Sequence, residues 1–143
     1  MLALRVLGYL WSLPLVLVGL LLALLYRPTS WRWSEGCLEA IVAGDRMIGK
    51  PGAQTHGWVI YYRDELARQS ARLRRHERVH VRDGLLGGVF YGLAYAFTFA
   101  WWFVFVPAVP LGWPRWKRAY YRNWFEQRAR LAENPDSTHA HSS

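Results

Sequence analysis

The sequence predicts an α+β membrane protein, and three observations carry that expectation. Two long stretches hold no charge, a β-rich run sits between turn signals, and a helix with an HExxH motif is followed by a second helix bearing a glutamate. Val6–Tyr26 is 21 residues without Asp, Glu, Lys or Arg, and Gly84–Pro114 is another 31. Every charge lies outside them, so the mean hydropathy of −0.04 averages two unlike kinds of segment. That pattern excludes an ordinary soluble globule and a disordered chain. A single cysteine, Cys37, excludes an internal disulfide framework and a cysteine-based zinc finger.

The first element is an N-terminal transmembrane helix over Val6–Tyr26, the core of a membrane anchor at residues 1–30. At ~1.5 Å per residue, such a helix crosses the ~30 Å hydrocarbon once. Pro14 is expected as a kink, which membrane helices tolerate. Tyr9, Trp11 and Tyr26 lie toward the ends, where amphipathic rings favour the interface. The run exceeds a signal-peptide core and is followed by Arg27-Pro28-Thr29-Ser30 rather than a small-x-small site, so the anchor is expected to stay. Only Arg5 precedes it while Arg27 and Arg32 follow closely, which puts the body on the cytoplasmic side.

The body is expected over residues 31–134, with an apolar insert at 84–114. A tail at 135–143, holding His139 and His141 among serines, is expected to be disordered. Trp31-Arg32-Trp33 reads as an interfacial anchor. Cys37–Ala43 reads as a short strand, closed by the turn signals Gly44-Asp45 and Gly49-Lys50-Pro51-Gly52. His56–Arg63 (HGWVIYYR) is β-branched and aromatic and reads as a second strand. Asp64 is a candidate N-cap for a helix from Glu65 to Arg82. Six arginines lie on that helix: Arg68, Arg72, Arg74, Arg75, Arg78 and Arg82. Tethered between two apolar blocks, they read as a solvated face touching anionic headgroups, with no nucleic acid as partner.

Within that helix stands His76-Glu77-Arg78-Val79-His80. Histidines at i and i+4 share one helical face and can bind one Zn²⁺. The glutamate beside the first histidine is placed to act as a general base. A catalytic zinc needs a third protein ligand. Asp83 is near the same face, but one straight helix supplies three tetrahedral ligands with difficulty. Glu126 lies on a second helix over Tyr120–Arg130 and would complete a His₂Glu set, unless it only pairs with Arg130 at i+4.

These pieces, in the order strand, HExxH helix, later glutamate, resemble zinc metallopeptidases of the gluzincin type. More closely, the chain resembles a family of small membrane-anchored bacterial proteins of zinc-metallopeptidase type. The likeness rests on Thr55-His56-Gly57-Trp58-Val59-Ile60, on His76–Arg82, and on Tyr121-Arg122-Asn123 with Phe125-Glu126 and Ala129. It covers about residues 33–133 plus the anchor. The resemblance implies His76, His80 and Glu126 as zinc ligands and Glu77 as base. It implies a bacterial inner membrane, a peptide or protein substrate, and an edge strand Gly57–Tyr62 beside that substrate, with Gly57, Trp58, Val59 and Ile60 in contact with it. The chain departs from the pattern at Asp83, where a Gln-like residue is expected, and in its unusually apolar stretch after the motif.

That stretch decides between readings. As one helix, residues 84–114 would pass well beyond the ~30 Å hydrocarbon core, and Pro107, Pro110 and Pro114 would break its end. A single crossing would put His76 and Glu126 on opposite sides of a bilayer. A re-entrant or interfacial excursion would let them meet, with Gly84, Gly87, Gly88 and Gly92 allowing bends. The expected function is a membrane-associated zinc peptidase, with His56, Tyr120 and Tyr121 as candidate oxyanion donors. The rivals are a two-span membrane subunit without activity and an inactive zinc-binding scaffold.

Overall fold

The first charge-free stretch folds as two helices, α1 (Leu2–Trp11) and α2 (Leu13–Leu25). Pro14 has no N–H to give the Leu10 carbonyl, so the helical ladder is interrupted there. The chain breaks at Ser12, whose hydroxyl donates to the Tyr9 carbonyl at 3.1 Å. The expected single span is thus corrected to a broken pair. Among the described residues no single helix is long and apolar enough to cross a membrane. The computed structural model describes residues 2–49, 51–105 and 114–133. The expected tail at 135–143, with Pro107 and Pro110, lies outside them.

Four strands follow: β1 (Ser30–Ser34), β2 (Cys37–Ile41), β3 (Ala53–His56) and β4 (Val59–Tyr62). They form one sheet in the order β1-β2-β4-β3. β1 and β2 are antiparallel, joined through Glu35 and Gly36 at φ +49° and +80°, the paired positive values of a type I′ turn. β2 and β4 run parallel. β3 and β4 form a second antiparallel hairpin, turned at Gly57 with φ +62°. The run expected as one strand from His56 is therefore a hairpin, and Trp31-Arg32-Trp33 lies in the outer strand β1.

The sheet is the middle of three layers. Val59 and Tyr61 face α2, packing with Val16, Ala23 and Tyr26. Ile60 and Tyr62 face the other way, onto Ala67 and Val81. This is why all four residues of β4 are buried where alternation would leave a surface sheet half wet.

The expected helix 65–82 is two, α3 (Glu65–Gln69) and α4 (Ala71–Gly87), divided at Ser70. Each start is capped: Asp64 accepts from the Ala67 N–H at 2.7 Å, and Ser70 from that of Leu73 at 3.3 Å. α4 presents His76, Glu77, His80, Val81, Asp83 and Gly84 as its buried face. The chain then turns by 120° at Gly88 into α5 (Val89–Phe105). Gly88 has φ +52°, and a Cβ there would lie 2.3 Å from the ring of Trp11, which covers the corner. α6 (Arg115–Arg122) packs on α5, and α7 (Trp124–Leu131) on α4. The single helix expected over 120–130 is divided at Asn123, which is fully buried.

Candidate metal centre

Helix geometry and one cap bring the candidate ligands together. His76 and His80 are one turn apart on α4, and their Nε2 atoms lie 3.2 Å apart. Asn123 sets the start of α7: its side chain accepts from the Phe125 N–H at 3.0 Å and donates to the Tyr95 carbonyl at 3.3 Å. Glu126, in the first turn of α7, then faces α4. Its Oε2 is 3.3 Å from His76 Nε2 and its Oε1 is 3.3 Å from His80 Nε2. All three residues are buried, and their ligand atoms lie within 4.8 Å of one another. Glu126 thus lies back beside the helix that the chain left after His80, and a single membrane crossing between the two residues does not fit.

These separations suit a metal. Ligands at ~2.0–2.1 Å around a tetrahedral ion stand ~3.3–3.4 Å from each other. Glu126 Oε2 is buried with no well-formed hydrogen bond, an acceptor aimed at the common point. The outer nitrogens are engaged elsewhere: His76 Nδ1 lies 2.9 Å from Glu133 Oε1, and His80 Nδ1 2.9 Å from the Tyr91 hydroxyl. With Nδ1–H on Glu133, His76 turns a bare Nε2 lone pair inward, the tautomer a metal requires. Glu133 is itself held by the Arg72 guanidinium, while Arg75 donates to its carbonyl at 2.8 Å. Tyr95 donates to Glu126 Oε1 at 2.8 Å.

The electrostatics agree. Burial alone would raise the Glu126 carboxyl, but the imidazoles of His76 and His80 beside it hold it well below the usual carboxylate range. Burial would lower His76, yet the carboxylates of Glu126, Glu77 and Glu133 around it push it up. The group gains from a positive charge at its centre.

Glu77 is 4% exposed, and its Oε2 accepts from the Thr55 hydroxyl at 2.7 Å, which ties it to β3. Burial pushes its carboxyl up, against the pull of His80 and His76. A cleft of about 860 Å³ opens over the group, bounded by β3 on one side and α5 and α6 on the other. His56, Tyr120 and Tyr121 all line it. Tyr120 hydrogen-bonds Glu126, and His56 Nδ1 meets the Tyr61 hydroxyl at 2.7 Å.

Asp83 takes no part in the group. It is buried against Arg128, which donates to it at 3.0 Å and so fastens α7 to α4. The expected substrate strand also needs correction. Val59 and Ile60 are in β4, flanked by β2 and β3 and fully buried, so their main chain is already paired. The edge is β3, and of the expected contacts Gly57 alone lines the cleft, beside Ala53–His56. Trp58 packs against Tyr9 and Trp33. Thr55, Tyr91, Tyr95 and Glu133 are the residues that sequence reasoning missed. Tyr91 and Tyr95 carried a signal, two phenol hydroxyls at i and i+4 in a charge-free helix.

Comparison with protein-family models, with curated proteins and with solved structures finds no match. What the fold and the site define is an α+β chain with a buried His76, His80, Glu126 group that can hold a metal ion.

Proposed function

We propose that the chain is a membrane-associated zinc-dependent peptidase. The observation that carries this reading is the convergence of His76 Nε2, His80 Nε2 and the Glu126 carboxylate, from two helices, beside a buried Glu77. Two imidazoles and one carboxylate form a donor set that suits zinc with an open fourth position. Zinc, when bound, supplies Lewis acidity toward a carbonyl and lowers the pKa of a coordinated water. Glu77 takes the proton from the attacking water and returns it to the leaving amine. Thr55 holds Glu77 in place through its hydroxyl. The free edge of β3 binds an extended peptide by main-chain hydrogen bonds, and His56 and Tyr121 are the donors at hand for its carbonyls, Tyr120 being engaged by Glu126. Exposed leucines and aromatics on α1, α2 and α5 support association with a lipid bilayer; Arg27 and Arg32, close after the first apolar stretch, support a body on the cytoplasmic side of a bacterial inner membrane.

Zinc content of the purified chain and hydrolysis of a peptide library test this reading together. Wild type should hold one zinc and cleave. Glu126→Ala should lose the zinc and Asp83→Ala should keep it. Glu77→Gln should keep zinc and lose ~10²–10⁴-fold in rate. Wild-type cleavage by Glu77→Gln, or zinc retained in Glu126→Ala, would overturn the assignment.

A further inference from the structure

We infer that the substrate is a peptide held in a bilayer, cut within a few residues of an apolar segment; this rests on the peptidase reading above. The cleft has two unlike walls. One is the edge of β3. The other includes Leu15 of α2 and Tyr91, Gly92 and Tyr95 of α5. The two helices touch at this wall, where a Cβ on Gly92 would lie 2.7 Å from Leu15 Cδ2.

The same helices are uncovered and apolar on their outer sides. Leu17 and Leu21 of α2 are 64% and 61% exposed, and Leu93 and Phe97 of α5 are 61% and 68%. A soluble protein leaves apolar surface of this extent only where something covers it. Charge says what the cover is. The chain carries a formal net charge of +8. Along α4, the exposed Arg72, Arg75 and Arg82 give way to Leu86, which is 73% exposed; Arg72 and Arg75 also hold Glu133, and Arg82 stands nearest the apolar border. Basic side chains bordering apolar ones match anionic headgroups over hydrocarbon, and a second copy of so basic a chain would meet like charge.

That border also locates the site. His80 is two residues before Arg82 and six before Leu86, so at ~1.5 Å per residue it lies within about 9 Å of the boundary along the helix. An extended peptide covers ~9 Å in about three residues. Leu15 and Gly92 line the same cleft as Glu77 and His80, so a peptide on β3 meets that wall beside the site, and with the apolar border ~9 Å away the lipid lies within about three or four residues of the bond Glu77 addresses.

The test uses the full chain, zinc-loaded, in vesicles of phosphatidylcholine and phosphatidylglycerol. Three peptide pools share one random octapeptide. One has an apolar helical anchor at its amino end, one at its carboxyl end, and one has a polar extension instead. At least one anchored pool should be cut about tenfold faster than the polar pool or more. Cuts mapped by mass spectrometry should fall within about four residues of the anchor. Glu77→Gln, loaded with the same pools carrying a photo-crosslinker, should label segments around Leu15 and Gly92. Equal rates for all pools, or cuts spread without regard to the anchor, would overturn the inference and leave the peptidase reading intact. No cutting of any pool by zinc-loaded wild type would overturn the peptidase reading itself.

Discussion

α2 and α5 are both charge-free apolar helices, of 13 and 17 residues, and the fold uses them in opposite ways. α2 buries Val16, Gly19 and Ala23 against the sheet. α5 buries no residue among those described, yet it sends Tyr91 to His80 and Tyr95 to Glu126. The small residues explain the difference. Gly19 lets α2 approach β3 so closely that a Cβ would stand 2.8 Å from the Cβ of His56. In α5 the equivalent role falls to two tyrosines one turn apart, whose rings lie against Phe125 and whose hydroxyls reach polar partners. Apolar composition says where a helix can lie. The placing of its small and polar residues says what it does there.

The strongest way to break that contrast is to overfill one helix and polarise the other. Gly19→Val should destabilise the protein by about 3 kcal/mol, because α2 must back away from His56. Phe97→Asn, on the uncovered side of α5, should stay within ~0.5 kcal/mol in detergent while weakening retention on vesicles. Chemical unfolding followed by tryptophan fluorescence measures both. Similar losses in the two variants would mean that α2 and α5 are packed alike.

A finer probe separates support of the site from support of the fold. Tyr91→Phe deletes the hydroxyl that orients His80, and Glu133→Gln weakens the partner of His76. Each should lower zinc affinity about tenfold in competition with a chelator, with little change in melting temperature. A fall in melting temperature without a change in affinity would make these residues structural only. The smallest effect on the site is expected at Tyr61→Phe. Tyr61 is fully buried, and its hydroxyl has His56 Nδ1 as partner, so its loss should cost ~1 kcal/mol of stability and leave zinc affinity unchanged.

Local spacing made part of the site readable in the sequence. An i, i+4 histidine pair needs nothing beyond a helix, and Ser70 and Asn123, read as ordinary helical positions, turned out to be the caps that set α4 and α7. Tertiary order was not readable in the same way. Ala53-Gln54-Thr55-His56 is too polar to announce a strand, so β4 looked like the edge when it is the centre. Gly57 alone hinted at the hairpin. Glu133 follows Glu126 by seven residues, two helical turns, but it lies past the end of α7, where nothing in the pattern marks it as the partner of His76. Pro14 was legible as an interruption, but not as a full break at Ser12, since that depends on how α1 packs on α4.

The contact between Trp11 and Gly88 joins the first helix to the corner from which the chain turns back toward Glu126. The hydroxyl of Tyr9 likewise donates to the Gly36 carbonyl at 2.7 Å. Removing the residues up to Tyr26 would accordingly do more than shorten the chain. It would strip Val16 and Ala23 from the sheet, withdraw Trp11 from the corner and loosen the β1–β2 turn in one event. A fragment beginning near residue 31 would therefore carry His76, His80 and Glu126 without the framework that brings them together.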